Sequence, residues 1–305
     1  MIDGLVIVDK PAGCTSHDVV ARCRRIFGQR RVGHAGTLDP DATGVLLVGL
    51  GRATRLMQFL TGLPKTYSGE IVLGVATSTL DSSGEITGRW DMSRVTLDDV
   101  RAAALGLTGT ISQVPPMVSA LKVGGRRLHE LAREGVEVER APRTVVVERF
   151  ELHQVGRPDA GDPSGAVGGR RTPVFAFLVE CSTGTYVRSL AADLGTALEG
   201  GAHLRRLRRT AVGPWSEEEA VALDDLGPGS VVAPAGALRG IPAVRVADGI
   251  ARAVTQGKVL DRAVLAVSGD GPWPVLSETG RLLAVYEPYA DGRAKPAVVI
   301  ATAEP

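Results

Sequence analysis

Residues 33–51 read GHAGTLDPDATG, Gly33–Gly44, followed by VLLVGLG, Val45–Gly51. Within twelve residues stand a histidine, two aspartates, two threonines, three glycines and a proline, and an unbroken apolar run follows. This is the make-up of a constrained loop that feeds a buried strand. Gly33, Gly36 and Gly44 permit positive φ or close backbone approach. Pro40 fixes φ just after Asp39 and biases Asp39 away from the helical region. A carboxylate is thereby held on a stiff loop at the mouth of a strand, where reactive groups commonly sit. The same residues also describe a tight surface turn in which Asp39 and Asp41 bond local amides.

Outward from this loop, Leu5–Val8 reads as a buried strand. Thr15 or Ser16 caps a helix to about Phe27, with Val19, Cys23, Ile26 and Phe27 on one face, and Gly28 ends it. A short helix follows Gly51, over about Ala53–Leu60. Tyr67–Gly74, Glu85–Trp90, Thr144–His153, Val174–Cys181 and His203–Arg209 alternate as strands. Helices are expected from Thr96 to Leu107, over Leu128–Arg133, after Thr183-Gly184-Thr185 to Leu198, and from Ser216 through three glutamates. Residues 156–173, with five glycines and three prolines, read as a flexible insertion. Residues 228–240, rich in Pro, Gly and Ala, read as a linker. The remainder holds short strands at Leu260–Val267, Arg281–Tyr286 and Ala297–Ile300, the pattern of a small β-rich domain. Several strand pairs are joined too briefly for parallel crossovers, so the expected class is α+β with a mixed sheet rather than a doubly wound one.

The chain has 305 residues, 44% apolar, enough for a sizeable core. No apolar run approaches membrane-spanning length. Three cysteines without a CxxC pair and five scattered histidines suggest a reduced, cytoplasmic protein with no structural metal. The formal net charge is +1, but residues 1–65 carry nine Lys/Arg against five Asp/Glu. Arg22, Arg24, Arg25, Arg30 and Arg31 form one cluster and Arg205, Arg206, Arg208 and Arg209 another, a pattern that suits phosphate contact.

Four constellations compete. Gly49-Leu-Gly51 opens a helix as in a dinucleotide fingerprint, but Thr54 stands where the third glycine belongs. Asp39 and Asp81 as an acid-protease pair fail, because neither is directly followed by Thr/Ser-Gly; Asp81-Ser82-Ser83-Gly84 reads as a β-turn. The basic clusters with Tyr67 and Tyr186 would suit a bare RNA-binding module. The fourth joins Asp39, Tyr67, Tyr186 and Arg188 into a one-carboxylate site, in which burial raises an aspartate's pKa and an arginine partner lowers it.

These residues resemble the TruB family of tRNA pseudouridine-55 synthases. The resemblance rests on Gly33–Gly44, on Gly4–Pro11 with Thr15-Ser16, and on Lys65-Thr66-Tyr67. It continues through Ser119–Lys122, Gly184–Arg188, Gly201–Leu204 and Leu207-Arg208-Arg209, in the family's order over residues 2–225. It implies a pseudouridine-synthase-type, mainly antiparallel sheet flanked by helices over residues 1–227, with an RNA-gripping loop at about 120–143. After the 228–240 linker it implies a PUA-like domain at 241–305. It implies a monomeric enzyme that isomerises the uridine of the TΨC loop without metal or cofactor and takes the tRNA T arm as partner. Asp39 is similar in position to the family's nucleophile, with attack at the sugar C1′ and at the base C6 both open. Tyr67 resembles the tyrosine that stacks on the flipped uracil, and Arg188 the arginine paired with the aspartate. His34 resembles the histidine that fills the vacated space. Tyr186, Lys10 and Leu207 match residues that line or support the pocket. Extruding a base costs a few kcal/mol and aromatic stacking returns about 1–3 kcal/mol, so the allocation is energetically of the right order. Residues 241–305 carry seven basic and seven acidic side chains, which leaves RNA contact there open. The alternative from another class is an RNA-binding or tRNA-folding protein with little or no synthase activity.

Overall fold

A computed structural model describes residues 2–119, 121–136, 138–155, 166–167 and 170–301. Its contacts gather the chain into two compact units, Met1–Leu63 with Val212–Pro305, and Pro64–Ala211. The 228–240 segment and the C-terminal stretch thus share a unit with the first strands.

The first unit begins with strand β1 (Gly4–Lys10) and helix α1 (Ser16–Ile26), followed by β2 (Val32–Ala35) and β3 (Thr43–Leu50). β3 pairs antiparallel with β1, from Gly4 opposite Leu50 to Lys10 opposite Gly44, and also with β2. The unbroken apolar runs of β1 and β3 have a simple cause: both faces are buried. Leu5, Ile7, Val45 and Leu47 join one core, together with Leu56, Leu60, Trp215, Leu238, Leu282 and Val285. Val6, Val8, Leu46, Val48 and Leu50 face the other way, onto Val19, Val20 and Cys23 of α1. A 3-10 turn, Gly51–Leu56, and helix α2 (Met57–Thr61) replace the single helix expected there.

The second unit contains β4 (Lys65–Leu73), the hairpin β5 (Val75–Thr77) and β6 (Ile86–Arg89), α3 (Leu97–Leu105) and β7 (Gly109–Gln113). It continues with α4 (Leu128–Arg133), β8 (Arg143–Gln154), β9 (Val174–Cys181), α5 (Val187–Ala197) and β10 (Ala202–Val212). The sheet order is β10-β4-β9-β8-β7, with antiparallel pairing along β4-β9-β8-β7. The alternation of β4 and β9 sets Lys65, Tyr67 and Ile71 on the buried face with Cys181, Val179 and Phe175. The fold is therefore α+β with a mainly antiparallel sheet, as expected.

The C-terminal residues of the first unit form a five-stranded sheet in the order Val244–Val246, Trp273–Ser277, Leu282–Pro288, Arg293–Val299, Leu260–Asp261. Its first pairing is parallel and the pairings from Trp273–Ser277 onward are antiparallel.

Several local expectations are corrected. Gly33–Ala35 is strand, not loop, and Gly33 has no positive φ, whereas Gly36 (φ 83°) and Gly44 (φ 99°) do. Ile26 is exposed and Val20 takes its place on the buried face of α1. The glutamates after Ser216 make one 3-10 turn, because the apolar residue that follows, Val221, pairs with β1 instead of continuing a helix. Leu260–Val267 is not one strand; it divides into Leu260–Asp261 and a helical turn, Arg262–Leu265. Helix Asp248–Thr255 was not expected from the sequence. The 156–173 insertion falls outside the described residues but for 166–167 and 170–173. No helix of the described residues is long and apolar enough to cross a membrane.

Candidate active site

In the first unit the Asp39 loop is held from behind by β1 and α1. Alternation along β1 turns Lys10 inward beyond Val6 and Val8, where it is fully buried. Its Nζ donates to the carbonyls of Pro11 (2.8 Å), Pro40 (2.9 Å) and Ala42 (2.7 Å). Three donated bonds use all three ammonium protons. Gly13, at φ 78°, donates its N–H to the same Pro40 carbonyl at 3.0 Å. Ser16 Oγ accepts from Leu38 N (2.9 Å) and donates to Leu38 O (3.2 Å). Ala42 N donates to Asp39 O at 3.2 Å, closing a turn with Pro40 at its second position. Both chain neighbours of Asp39 are thus pinned while its side chain stays half-exposed; Asp41 is exposed.

α1 supplies Ser16 at a defined place because a capping box starts the helix. Thr15 Oγ1 accepts from Asp18 N, and Thr15 N donates to Asp18 Oδ2. The hydroxyl and backbone N–H of Thr15 hold the Asp18 carboxyl below its ordinary range. One residue further, the exposed His17 ring stands edge-on to His34 of β2, with centroids 5.4 Å apart and planes at 82°.

In the second unit Tyr67 lies on the buried face of β4, 8% exposed. Two residues before it, Lys65 is 6% exposed and sits opposite Cys181. Burial, with the Arg209 guanidinium adding to it and Cys181 opposing, brings the Lys65 ammonium down to about 8. Burial pushes the Cys181 thiol up to about 11.

Arg188 is on the first turn of α5 and is 5% exposed. Its Nη1 donates to Thr79 O at 3.0 Å and lies 3.5 Å from Asp81 Oδ2; its Nη2 donates to Val118 O at 2.8 Å. Asp81 is itself fixed. Its Oδ1 accepts from Thr79 Oγ1 (2.6 Å), Ser83 Oγ (2.5 Å) and Ser83 N (3.1 Å). Tyr186, the residue before α5, is half-buried, as is Leu207 on β10.

The sequence-based site residues therefore fall into two sets. Lys10, His34 and Asp39 belong to the first unit, and Lys10 is bound to the backbone of the Asp39 loop. Tyr67, Tyr186, Arg188 and Leu207 belong to the second. The sequence reading missed Ser16 as a brace of that loop and missed Asp81, taken for a turn residue, as a carboxylate on Arg188. It also missed Gln113, whose amide bonds the Tyr186 backbone. Among the described residues no group of three or more His, Cys, Asp or Glu is placed to hold a metal ion.

Residues 24–187 match the TruB family pseudouridylate synthase N-terminal domain, and residues 188–234 match the tRNA pseudouridylate synthase B C-terminal domain. The chain is 46% identical to tRNA pseudouridine synthase B of Thermobifida fusca over 99% of both chains. It is 51% identical to tRNA pseudouridine synthase B of Paenarthrobacter aurescens over 74% of this chain and 70% of that one. A solved Cbf5-Nop10-Gar1 complex contains a chain of similar structure, with a TM-score of 0.69 and 26% identity over 99% of this chain and 84% of that chain. Motif order, sheet topology and these likenesses agree: the chain belongs to the TruB family of pseudouridylate synthases.

Proposed function

We propose that this pseudouridine synthase acts on tRNA and converts uridine 55 of the TΨC loop, with Asp39 as nucleophile. The observation that carries the reading is the bracing of the Asp39 loop. Leu38 and Pro40 are both held by buried side chains, from α1 and β1, and the carboxylate between them faces partly outward. A nucleophile so fixed loses little freedom on meeting a flipped nucleotide. The isomerisation breaks the C1′–N1 bond, forms a C1′–C5 bond, and moves the C5 proton off while N1 gains one. Attack at C1′ and attack at C6 both satisfy that balance. Tyr67 stacks on the uracil, Arg188 pairs with the carboxylate, and His34 fills the space that the base leaves. Tyr186, Leu207 and Lys10 line or support the pocket. In this reading the protein works as a cytoplasmic monomer.

The test is an Asp39→Asn variant incubated with an unmodified tRNA transcript, with pseudouridine mapped by carbodiimide-blocked primer extension. The variant is expected to bind a T-arm stem-loop and to form no product, while the unmodified protein marks position 55. Normal turnover by the variant removes Asp39 from its role. Product at another position removes the assignment to uridine 55. No product from the unmodified protein leaves the RNA-binding alternative.

A further inference from the structure

The opening of α5 carries Tyr186 and Arg188, yet it has no cap of its own. Tyr186 occupies the N-cap position and makes no side-chain capping bond. The exposed N–H groups of a helix start need partners, and an uncapped, buried start is costly. Here the partner comes from seventy-three residues earlier in the chain. Gln113, the last residue of β7, is 2% exposed. Its Oε1 accepts from Tyr186 N at 2.8 Å and its Nε2 donates to Tyr186 O at 3.2 Å. A side-chain amide thus makes both bonds that a neighbouring strand would make to one residue. The next residues continue the stitching: Ser189 Oγ donates to Val114 O at 3.0 Å, and Arg188 Nη2 to Val118 O at 2.8 Å.

The geometry points to Gln113 as a positioning residue for pseudouridine formation: its amide fixes the backbone at Tyr186 and so aims Tyr186 and Arg188. The inference rests on the proposed reading that these two residues belong to the reaction site. An amide is suited because it offers one acceptor and one donor in a single plane. A glutamate carboxylate offers acceptors only and would oppose the Tyr186 carbonyl. A protonated carboxylic acid restores the pattern, with C=O for the N–H and O–H for the carbonyl.

That difference supplies the test. Turnover of a T-arm stem-loop and its binding are measured for Gln113→Met, Gln113→Glu and Arg188→Lys, with folding followed by circular dichroism. Gln113→Met is expected to lower kcat about 10- to 100-fold, the scale of a small misplacement of reacting groups, with binding little changed. Gln113→Glu is expected to be equally poor near pH 8. Its kcat relative to the unmodified protein should then rise as pH falls towards about 5.5, because burial raises the carboxyl's pKa and the protonated form is the amide mimic. A folded Gln113→Met variant with unaltered kcat overturns the inference, as does a loss confined to binding. If Gln113→Met does not fold, a pH-independent ratio for Gln113→Glu overturns it. Arg188→Lys separates the two levels: full activity there defeats the reading of α5 as part of the site. A loss there, with Gln113 variants unaffected, defeats only the role of Gln113.

Discussion

Two lysines, one in each compact unit, are buried almost equally and treated differently. Lys10 is fully buried and spends its three protons on the carbonyls of Pro11, Pro40 and Ala42. Lys65 is 6% exposed, has Arg209 nearby, and its ammonium is brought down to about 8. Burial alone penalises an ammonium, and carbonyl dipoles aimed at it repay the penalty. A second cation adds to it. Depth is therefore a poor guide to what a buried lysine does. Lys10 converts its charge into loop geometry beside the candidate nucleophile. Lys65 stands two residues from Tyr67 as a cation whose charged form burial and Arg209 disfavour.

The largest effect should come from breaking the Lys10 side of this comparison. Lys10→Met keeps the stem and removes the donors, leaving the carbonyls of Pro11 and Ala42, the latter buried, without that partner. Stability is expected to fall by at least about 3 kcal/mol in urea denaturation, with pseudouridine formation lost in the folded fraction. Lys10→Arg should not restore it, because a planar guanidinium cannot place three donors around one point. Full activity in either variant would show that the loop needs no ammonium behind it.

The Lys65 side gives a pH signature of the next size. Its folded value is about 8 against an ordinary 10.5, so between those values the unfolded chain binds more protons. By linkage, stability must rise with pH across that window, by on the order of 3 kcal/mol at most, and the burden is fully present below pH 8. Cys181, pushed up to about 11, works in the opposite sense above its ordinary 9.0, since there the folded state keeps the proton. The two oppose each other from about pH 9 upward, so the raw curve is a poor readout. The difference between the unmodified protein and Lys65→Met isolates the lysine: the variant should gain most at pH 7 and lose that advantage as pH rises from about 8 past 10.5. A gain that is flat with pH would mean that Lys65 is not held away from its ordinary protonation.

What the sequence disclosed and what it hid divide along a physical line. Val45–Leu50 and Leu5–Val8 were legible because two-sided burial leaves an unbroken apolar run. Leu128–Arg133 and Val174–Cys181 were read with the bounds found. The stiffness of the loop, a local property, drew attention to Asp39 and Asp41 alike, and only family resemblance singled out Asp39. The supports were not legible. Lys10 bonds three backbone carbonyls, which carry no mark of residue type, and only family resemblance brought it forward. Asp81 has the local chemistry of a turn, and it forms one, with Ser83 bonded to its carboxylate. Its second duty, to Arg188, lies far along the chain. Gln113 is hidden for the same reason. The Ser216 helix failed because Val221, the apolar residue that would continue it, is taken by long-range pairing with β1, which cap chemistry and acidic residues do not reveal.

The smallest of the expected effects tests whether Lys10 acts alone behind Asp39. Ser16 is 1% exposed and exchanges two bonds with Leu38, so Ser16→Ala orphans a buried N–H at 38. Loss of that bond should cost about 1–2 kcal/mol and lower kcat without abolishing it, since Lys10 and Gly13 still hold Pro40. The two supports meet the chain on either side of Asp39, within a few residues, so they should couple. A double variant with Lys10→Met should lose less than the sum of the two, because a loop already released has little left to lose. Strict additivity in denaturation and turnover would mean that Leu38 and Pro40 are held independently, and that Asp39 is fixed by one of them rather than by the clamp as a whole.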